Sequence, residues 1–292
     1  MIARRTALSG IGLGLTRTAW ADEPAIARHL QYDQGDYQTS YMRELLSLAL
    51  ARSGRHYQLE PVSLKGAAQS RLLIEMGKAH PSLDVHWTIT DADRERRLRV
   101  VRIPIDRGLL GWRVALVRRS MLERWKWVRT LSDLAIYNAV QMPDWPDTRI
   151  LRANGIPVQT GLYYSALFEM LVRGHADFFP PSIMEIGAEL DAHRDLDIAI
   201  EPYVLLHYPS AQYFFVASSR PRLAADIERG LETLLADGTL QRMFRETFGD
   251  LLTRYDLKRR VTLELHNPTL PPQTPLQRTE LWWTPQSDGL SA

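Results

Sequence analysis

The sequence predicts an α/β protein built on parallel strands with crossover helices, and three observations carry that expectation. Apolar strands alternate with amphipathic helices at short spacing over residues 27–87, and the alternation resumes over 136–200. In three places, 87–91, 140–151 and 175–179, a strand runs out into a short loop, and the first two loops are polar. Strand, helix and strand at such spacing is the pattern of parallel pairing. Loops at strand ends can converge on one crevice, with backbone N–H groups and side chains aimed into it.

In order, residues 27–33 read as a strand that ends in the polar loop from Asp33 to Tyr37. Ser40 can cap a helix over 41–53, which carries Leu45, Leu46, Leu48 and Ala49 on one face and stops at Gly54. Residues 57–62 alternate as a second strand, 66–76 form a second helix and 83–87 a third strand. Strands at 100–105 and 111–117 flank Asp106, Arg107 and Gly108. A short helix at 131–134 feeds a strand at 136–140. The following helix starts near Thr148, with Asp147 as its N-cap, and stops at Asn154-Gly155. A strand at 156–160, a helix at 164–173 closed by Gly174, and a strand at 176–179 follow. Ser182 and Glu185 have the spacing of a capping box opening a helix to about His193. Strands at 197–200 and 213–217 precede helices at 221–236 and 239–248, punctuated by Asp237-Gly238 and Gly249. From Asn267 the chain carries Pro268, Pro271, Pro272, Pro275 and Pro285 with Trp282 and Trp283. That composition excludes helix and central strand, and two tryptophans are costly to leave in water, so an extended segment pinned across the body is expected.

At 292 residues, 45% apolar and 24% charged, the chain has ordinary globular composition and room for one large or two medium domains. Its first residues run from Arg4 and Arg5 through an apolar stretch to Ala19-Trp20-Ala21, the order of a secretory leader cleaved near Ala21. Cleavage there removes three of the 36 basic side chains and none of the 34 acidic ones, a net charge of −1. A near-neutral mature chain gives no electrostatic case for nucleic acid or an anionic membrane surface. The absence of cysteine excludes disulfides, thiolate metal sites and a cysteine nucleophile.

Thr88-Ile89-Thr90 with Arg94 shortly after resembles the Thr-Ile-Thr-x-x-Arg segment of periplasmic solute-binding proteins of the polar amino acid type. Leu131-Ser132-Asp133-Leu134 with Ala139-Val140-Gln141 is similar to that family's entry to its second lobe, and Gly174-His175-Ala176-Asp177 to its "Gly-x-x-Asp-Ala" strand. Glu201-Pro202-Tyr203, the segment 219–223, and Asp237-Gly238 through Phe248-Gly249 resemble its closing helices. The likeness covers about residues 27–250 in the right order; each motif is weak alone, and their succession is fairly specific. It implies the type II periplasmic-binding fold: two α/β lobes, each a mixed sheet flanked by helices, with the ligand cleft between them. By it, lobe 1 spans 22–112 with 213–265, lobe 2 spans 113–212, and 266–292 is an extension on the body. It further implies a periplasmic monomer that captures a small-molecule solute and works with a membrane permease of an ABC-type system, or with a membrane sensor. No cofactor, metal or nucleic acid is implied.

The departures from the family pattern matter. Amino acid binders place a Gly-Thr loop after the second-lobe strand, whose amides receive an anionic group; here the equivalent is Met142 to Asp147, with two prolines and two aspartates. The family's ammonium-binding Asp aligns near Ser182, where no carboxylate stands, and Arg94 lies one residue later than the pattern. Ordinary α-amino acids are therefore expected to bind weakly.

The candidate ligand-binding residues are Asp33, Tyr37, Trp87, Thr88, Thr90, Arg94, Gln141, Trp145, Thr148, Phe179 and Ser182. Trp87 and Trp145 offer flat walls or core, Thr88 and Thr90 offer hydroxyls at a strand end, and Gln141 offers a donor and an acceptor. Ser182 also serves as a helix cap. No Gly-x-Ser-x-Gly, His-Glu-x-x-His or phosphate-cradling loop is present. The fold hosts some dehydratases, and Glu169 or Glu185 near the cleft could act as a general acid, so a dehydratase-like enzyme is the alternative, against which Glu185 is engaged by a capping box and Glu169 lies on a helix with a buried face.

Overall fold

The computed structural model describes residues 23–31, 37–64 and 69–286; the expected leader at 1–21 and the loop residue Asp33 lie outside the described residues. The first part of the chain runs β1 (Ala25–Leu30), α1 (Tyr37–Ala51), β2 (Tyr57–Val62), α2 (Gln69–Met76), β3 (Val85–Ile89), α3 (Ala92–Arg97) and β4 (Arg99–Val101). After β5 (Trp112–Arg113) come β6 (Leu116–Arg118), α4 (Leu122–Trp125), α5 (Leu131–Leu134), β7 (Ala139–Gln141), α6 (Pro146–Ala153), β8 (Val158–Thr160), α7 (Tyr164–Val172), β9 (Phe178–Phe179), α8 (Ile186–Ala192) and β10 (Ile198–Ile200). The chain then returns through β11 (Val204–His207) to β12 (Gln212–Val216), α9 (Pro221–Ala236), α10 (Thr239–Arg254) and β13 (Val261–Glu264).

Two five-stranded mixed sheets organise these elements, in the orders β2-β1-β3-β12-β4 and β10-β6-β9-β7-β8. In the first, β1 pairs parallel with β2 and β3, while β12 runs antiparallel between β3 and β4. In the second, β7 pairs parallel with β8 and β9, and β6 is antiparallel to β9 and β10. The two segments that pass between the sheets, β5 and β11, pair with each other antiparallel, and β13 adds to β11 in parallel.

Local periodicity accounts for the helices. In α1 the residues Tyr41, Met42, Leu45, Leu46, Ala49 and Leu50 form one buried face, which packs on Leu223, Ile227, Leu231 and Leu234 of α9. Contact between these helices is close because α9 has Gly230 at the crossing, where a Cβ would lie 1.8 Å from the carbonyl oxygen of Ala49. Helix α1 begins at Tyr37, before Ser40. Helix α10 continues through Gly249 to Arg254, because Phe244, Phe248 and Leu252 extend its buried face at four-residue intervals. Helix α8 starts at Ile186, later than the capping box implies. Glu185 reaches back to the amide of Ser182 (2.9 Å), yet the Ser182 hydroxyl accepts from Met184 N, so only half the box forms.

The tail packs on the body. His266 N donates to Asn154 Oδ1 at the end of α6, and Asn154 Nδ2 donates to His266 O, both 2.8 Å. Further on, Arg278 makes a two-pronged pair with Glu232 of α9 at 2.6 and 3.0 Å. Trp283 is buried with its edge against Trp112, which itself stacks on His207 at 3.8 Å. The tail thus runs from the end of α6, past the crossing strands, to α9. Among the described residues no helix is long and apolar enough to cross a membrane.

Candidate functional site

A cavity of about 430 Å³ lies between the two main sheets and takes its walls from both lobes. The side of the first sheet contributes Thr88 and Ile89 at the exit of β3, Arg94 from α3 and Gln38 from α1. The turn that brings Arg94 back over β3 is built by Asp91, the N-cap of α3, whose carboxylate accepts the amides of Asp93 and Arg94 at 2.9 Å. The guanidinium then donates to Thr88 Oγ1 (2.8 Å) and to Ile89 O, and its Nε pairs with Asp91 at 3.0 Å. Burial lowers the pKa of Arg94, opposed by Asp91.

The side of the second sheet contributes the start of α6. Thr148 Oγ1 donates to Met142 O (2.7 Å) and ties the loop after β7 back onto the helix. Trp145 is the N-cap residue and Pro146 occupies the first turn, so Asp147 is not the cap; its carboxylate turns inward instead. There it pairs with Arg113 Nη2 at 2.7 Å and accepts the hydroxyl of Tyr208. Arg113 also donates to Pro180 O (3.2 Å), and its guanidinium lies 5.3 Å from the centre of the Tyr208 ring. Burial alone would lower the pKa of Arg113, but Asp147, Tyr208 and Glu185 outweigh it and raise the value. Burial first and then Asp147 raise that of Tyr208, against the pull of Arg113. Arg113 stands on β5 and Tyr208 follows β11, so this network joins both crossing strands to the cleft wall.

An aromatic wall and two carboxylates complete the cavity. Trp145 lies nearly parallel to Phe179 at 6.3 Å and tilted to Tyr164 at 6.1 Å. Tyr164 donates its hydroxyl to Glu189, and Glu185 sits one helical turn before Glu189 on the same wall. Desolvation raises the pKa of Glu185, opposed chiefly by Arg113. At the rim, the Tyr37 hydroxyl and Gln38 Nε2 donate across the cleft to Met184 O, at 2.9 and 3.2 Å.

Of the residues singled out in the sequence, Thr88, Arg94, Trp145 and Phe179 border this cavity, and Tyr37 bridges the lobes at its rim. Among the described residues, the others lie elsewhere. Trp87 points to the opposite face of β3 from Thr88 and packs edge-on to Phe214 at 6.3 Å. Thr90 donates to Glu95 (2.7 Å), Thr148 is engaged with Met142 O, and Ser182 is buried against Arg113. Gln141 is fully buried, and neither of its amide atoms has a hydrogen-bond partner among the described residues. Sequence reasoning missed Arg113, Tyr164, Glu189 and Gln38. Arg113 carried a signal, a charge inside the apolar run 111–117, and Glu189 stood four residues after Glu185 on a predicted helix. Among the described residues no group of His, Asp or Glu is placed to hold a metal ion.

No family model matches the sequence and no curated protein matches it. Solved structures do. A probable amino-acid ABC transporter extracellular-binding protein, YtmK from Bacillus subtilis, superposes with a TM-score of 0.52 at 18% identity, covering 78% of this chain and 98% of that one. The periplasmic VFT2 domain of BvgS from Bordetella pertussis, as a double mutant, gives 0.51 at 15% identity over 76% of this chain and 92% of that one. The fold is therefore the two-lobed α/β architecture of these binding domains, with a cleft between lobes.

Proposed function

We propose that this chain is an exported, non-catalytic solute-binding protein that captures a small polar or aromatic solute between its lobes and presents it to an ABC-type permease. The observation that carries this reading is the cavity itself, which takes polar groups from both lobes and an aromatic wall from one. The two crossing strands supply a natural hinge for closure on a solute. The leader-like N-terminus supports a periplasmic location, and the monomeric state is part of the same proposal. A thermal-shift screen over amino acids, amines, sugars and aromatic acids tests it, since a ligand at 100 times its Kd adds about 2.7 kcal/mol. A true cleft ligand loses affinity in Trp145→Ala; binding indifferent to that change, or no binding at all, rejects the reading.

A second reading is favoured by the tail that links Asn154 of lobe 2 to Glu232 of lobe 1. A strap of this kind suits a module whose lobe state is read by a membrane sensor. Reconstitution with a permease separates the two, because only a transport component stimulates uptake.

A further inference from the structure

Resting on the binding-protein reading, we propose that the cleft takes an organic cation, an amine or guanidinium carried on a flat or apolar group, and discriminates against the same cation bearing an α-carboxylate. Among the described residues, five charged side chains line the cavity: Arg94, Arg113, Asp147, Glu185 and Glu189. Both cations are already committed. Arg113 is paired with Asp147 at 2.7 Å, and Arg94 is paired with Asp91 at 3.0 Å and donates to Thr88 and Ile89. The anions differ. Among the described residues, neither Glu185 nor Glu189 forms an ion pair within 4 Å, and both are turned to the cavity.

Glu185 and Glu189 stand one turn apart, where like charges oppose helix formation, and each accepts a hydrogen bond from a neutral donor, the amide of Ser182 for Glu185 and the hydroxyl of Tyr164 for Glu189, with Arg113 acting on Glu185 only from beyond ion-pair distance. A cation between them relieves that repulsion. The faces of Trp145, Tyr164 and Phe179 on the same wall provide the negative quadrupoles that attract a cation and the area that buries an apolar body.

The place where a carboxylate would be received is closed by the chain's own groups. The first turn of α6 offers no N–H at Pro146, and the Thr148 amide donates to Trp145 O at 3.1 Å. Asp147 adds its own negative charge to that turn, locked there by Arg113 and Tyr208. An anionic ligand group would meet a fixed carboxylate instead of free amides.

Isothermal titration of the full mature chain with matched pairs tests this: 2-phenylethylamine against phenylalanine, agmatine against arginine, and phenylacetate as the anion alone. We expect the amines to bind, each carboxylated partner to bind at least ~10-fold more weakly, and phenylacetate not to bind. Glu189→Gln keeps the acceptor for Tyr164 while removing the charge, and should weaken amine binding about 5- to 30-fold with an unchanged melting temperature. Phenylalanine or arginine binding as tightly as its amine, or Glu189→Gln leaving affinity unchanged, overturns the assignment. Should the amines fail while a neutral or anionic compound binds in a Trp145-dependent way, the charge class falls and the solute-binding reading stands. Failure of every class in the screen removes both.

Discussion

Asp147→Ala is the substitution that most directly probes how the cleft wall is joined to the crossing strands. The Arg113–Asp147 pair leaves only 7% and 10% of its side chains exposed, whereas Arg96–Asp93, with 69% and 51% exposed, is a surface pair. These are different energetic regimes. A surface pair contributes about 0–1 kcal/mol, while removing one partner of a buried pair strands the other charge and costs about 3–5 kcal/mol. Tyr208 loses its acceptor at the same time, and that loss is contained in the same range. At about 2–4 °C per kcal/mol for a chain of this size, the melting temperature should fall by roughly 6–20 °C. Urea and thermal melts followed by circular dichroism measure it. The double change Arg113→Met with Asp147→Leu, which leaves no unpaired charge, should recover most of the loss. An Asp147→Ala variant within about 1 kcal/mol of the parent, or a double variant less stable than the single, would refute the reasoning that this network is buried and mutually dependent.

Two further outcomes follow from particular residues. Gly230→Ala, which in an open helix would stabilise by about 1 kcal/mol, should destabilise by ~1–3 kcal/mol, because its Cβ meets the Ala49 backbone; Gly249→Ala, with nothing within 4 Å, should be neutral or stabilising under the same urea melts. His86 is buried, and desolvation, aided by Arg94, lowers its pKa from 6.5 to about 4. The unfolded chain therefore binds the proton first as pH falls, and this residue's contribution is intact above 6.5 and is lost between 6.5 and about 4, at up to ~1.4 kcal/mol per pH unit. His86→Gln should flatten stability across that window, and an imidazole titrating by NMR near its ordinary value would contradict it.

What was legible in the sequence was local. The strand at 57–62 and the helices at 131–134 and 221–236 stand where alternation, caps and proline place them, because those signals act within a few residues. The roles of site residues were decided by partners far along the chain. Trp87 and Trp145 carry the same chemistry, yet Trp87 is set opposite Phe214 in the β3–β12 ladder and so faces the core, while Trp145 ends a loop against Phe179 and Tyr164. Asp147 has the composition of a cap, but an arginine 34 residues earlier and a tyrosine 61 residues later turn its carboxylate inward. Glu185 has the spacing of a capping partner, and one of its oxygens does serve Ser182, yet the carboxyl still borders the cavity. β11 and β13 escaped notice for a related reason: their pairing partners, each other and β5, lie far along the chain.

The same reasoning bears on ligand chemistry. A helix N-terminus attracts an anion by default, so a carboxylate at the start of α6 would ordinarily mean stabilisation of the helix and nothing more. Here that carboxylate is shared with Arg113 on one crossing strand and Tyr208 beyond the other, which makes the anion an internal part of the lobe-joining network. A solute with its own carboxylate would have to compete with Asp147 for Arg113 and so would strain the junction between the crossing strands and α6. A cation held between Glu185, Glu189 and the aromatic wall makes no such demand and leaves the network intact.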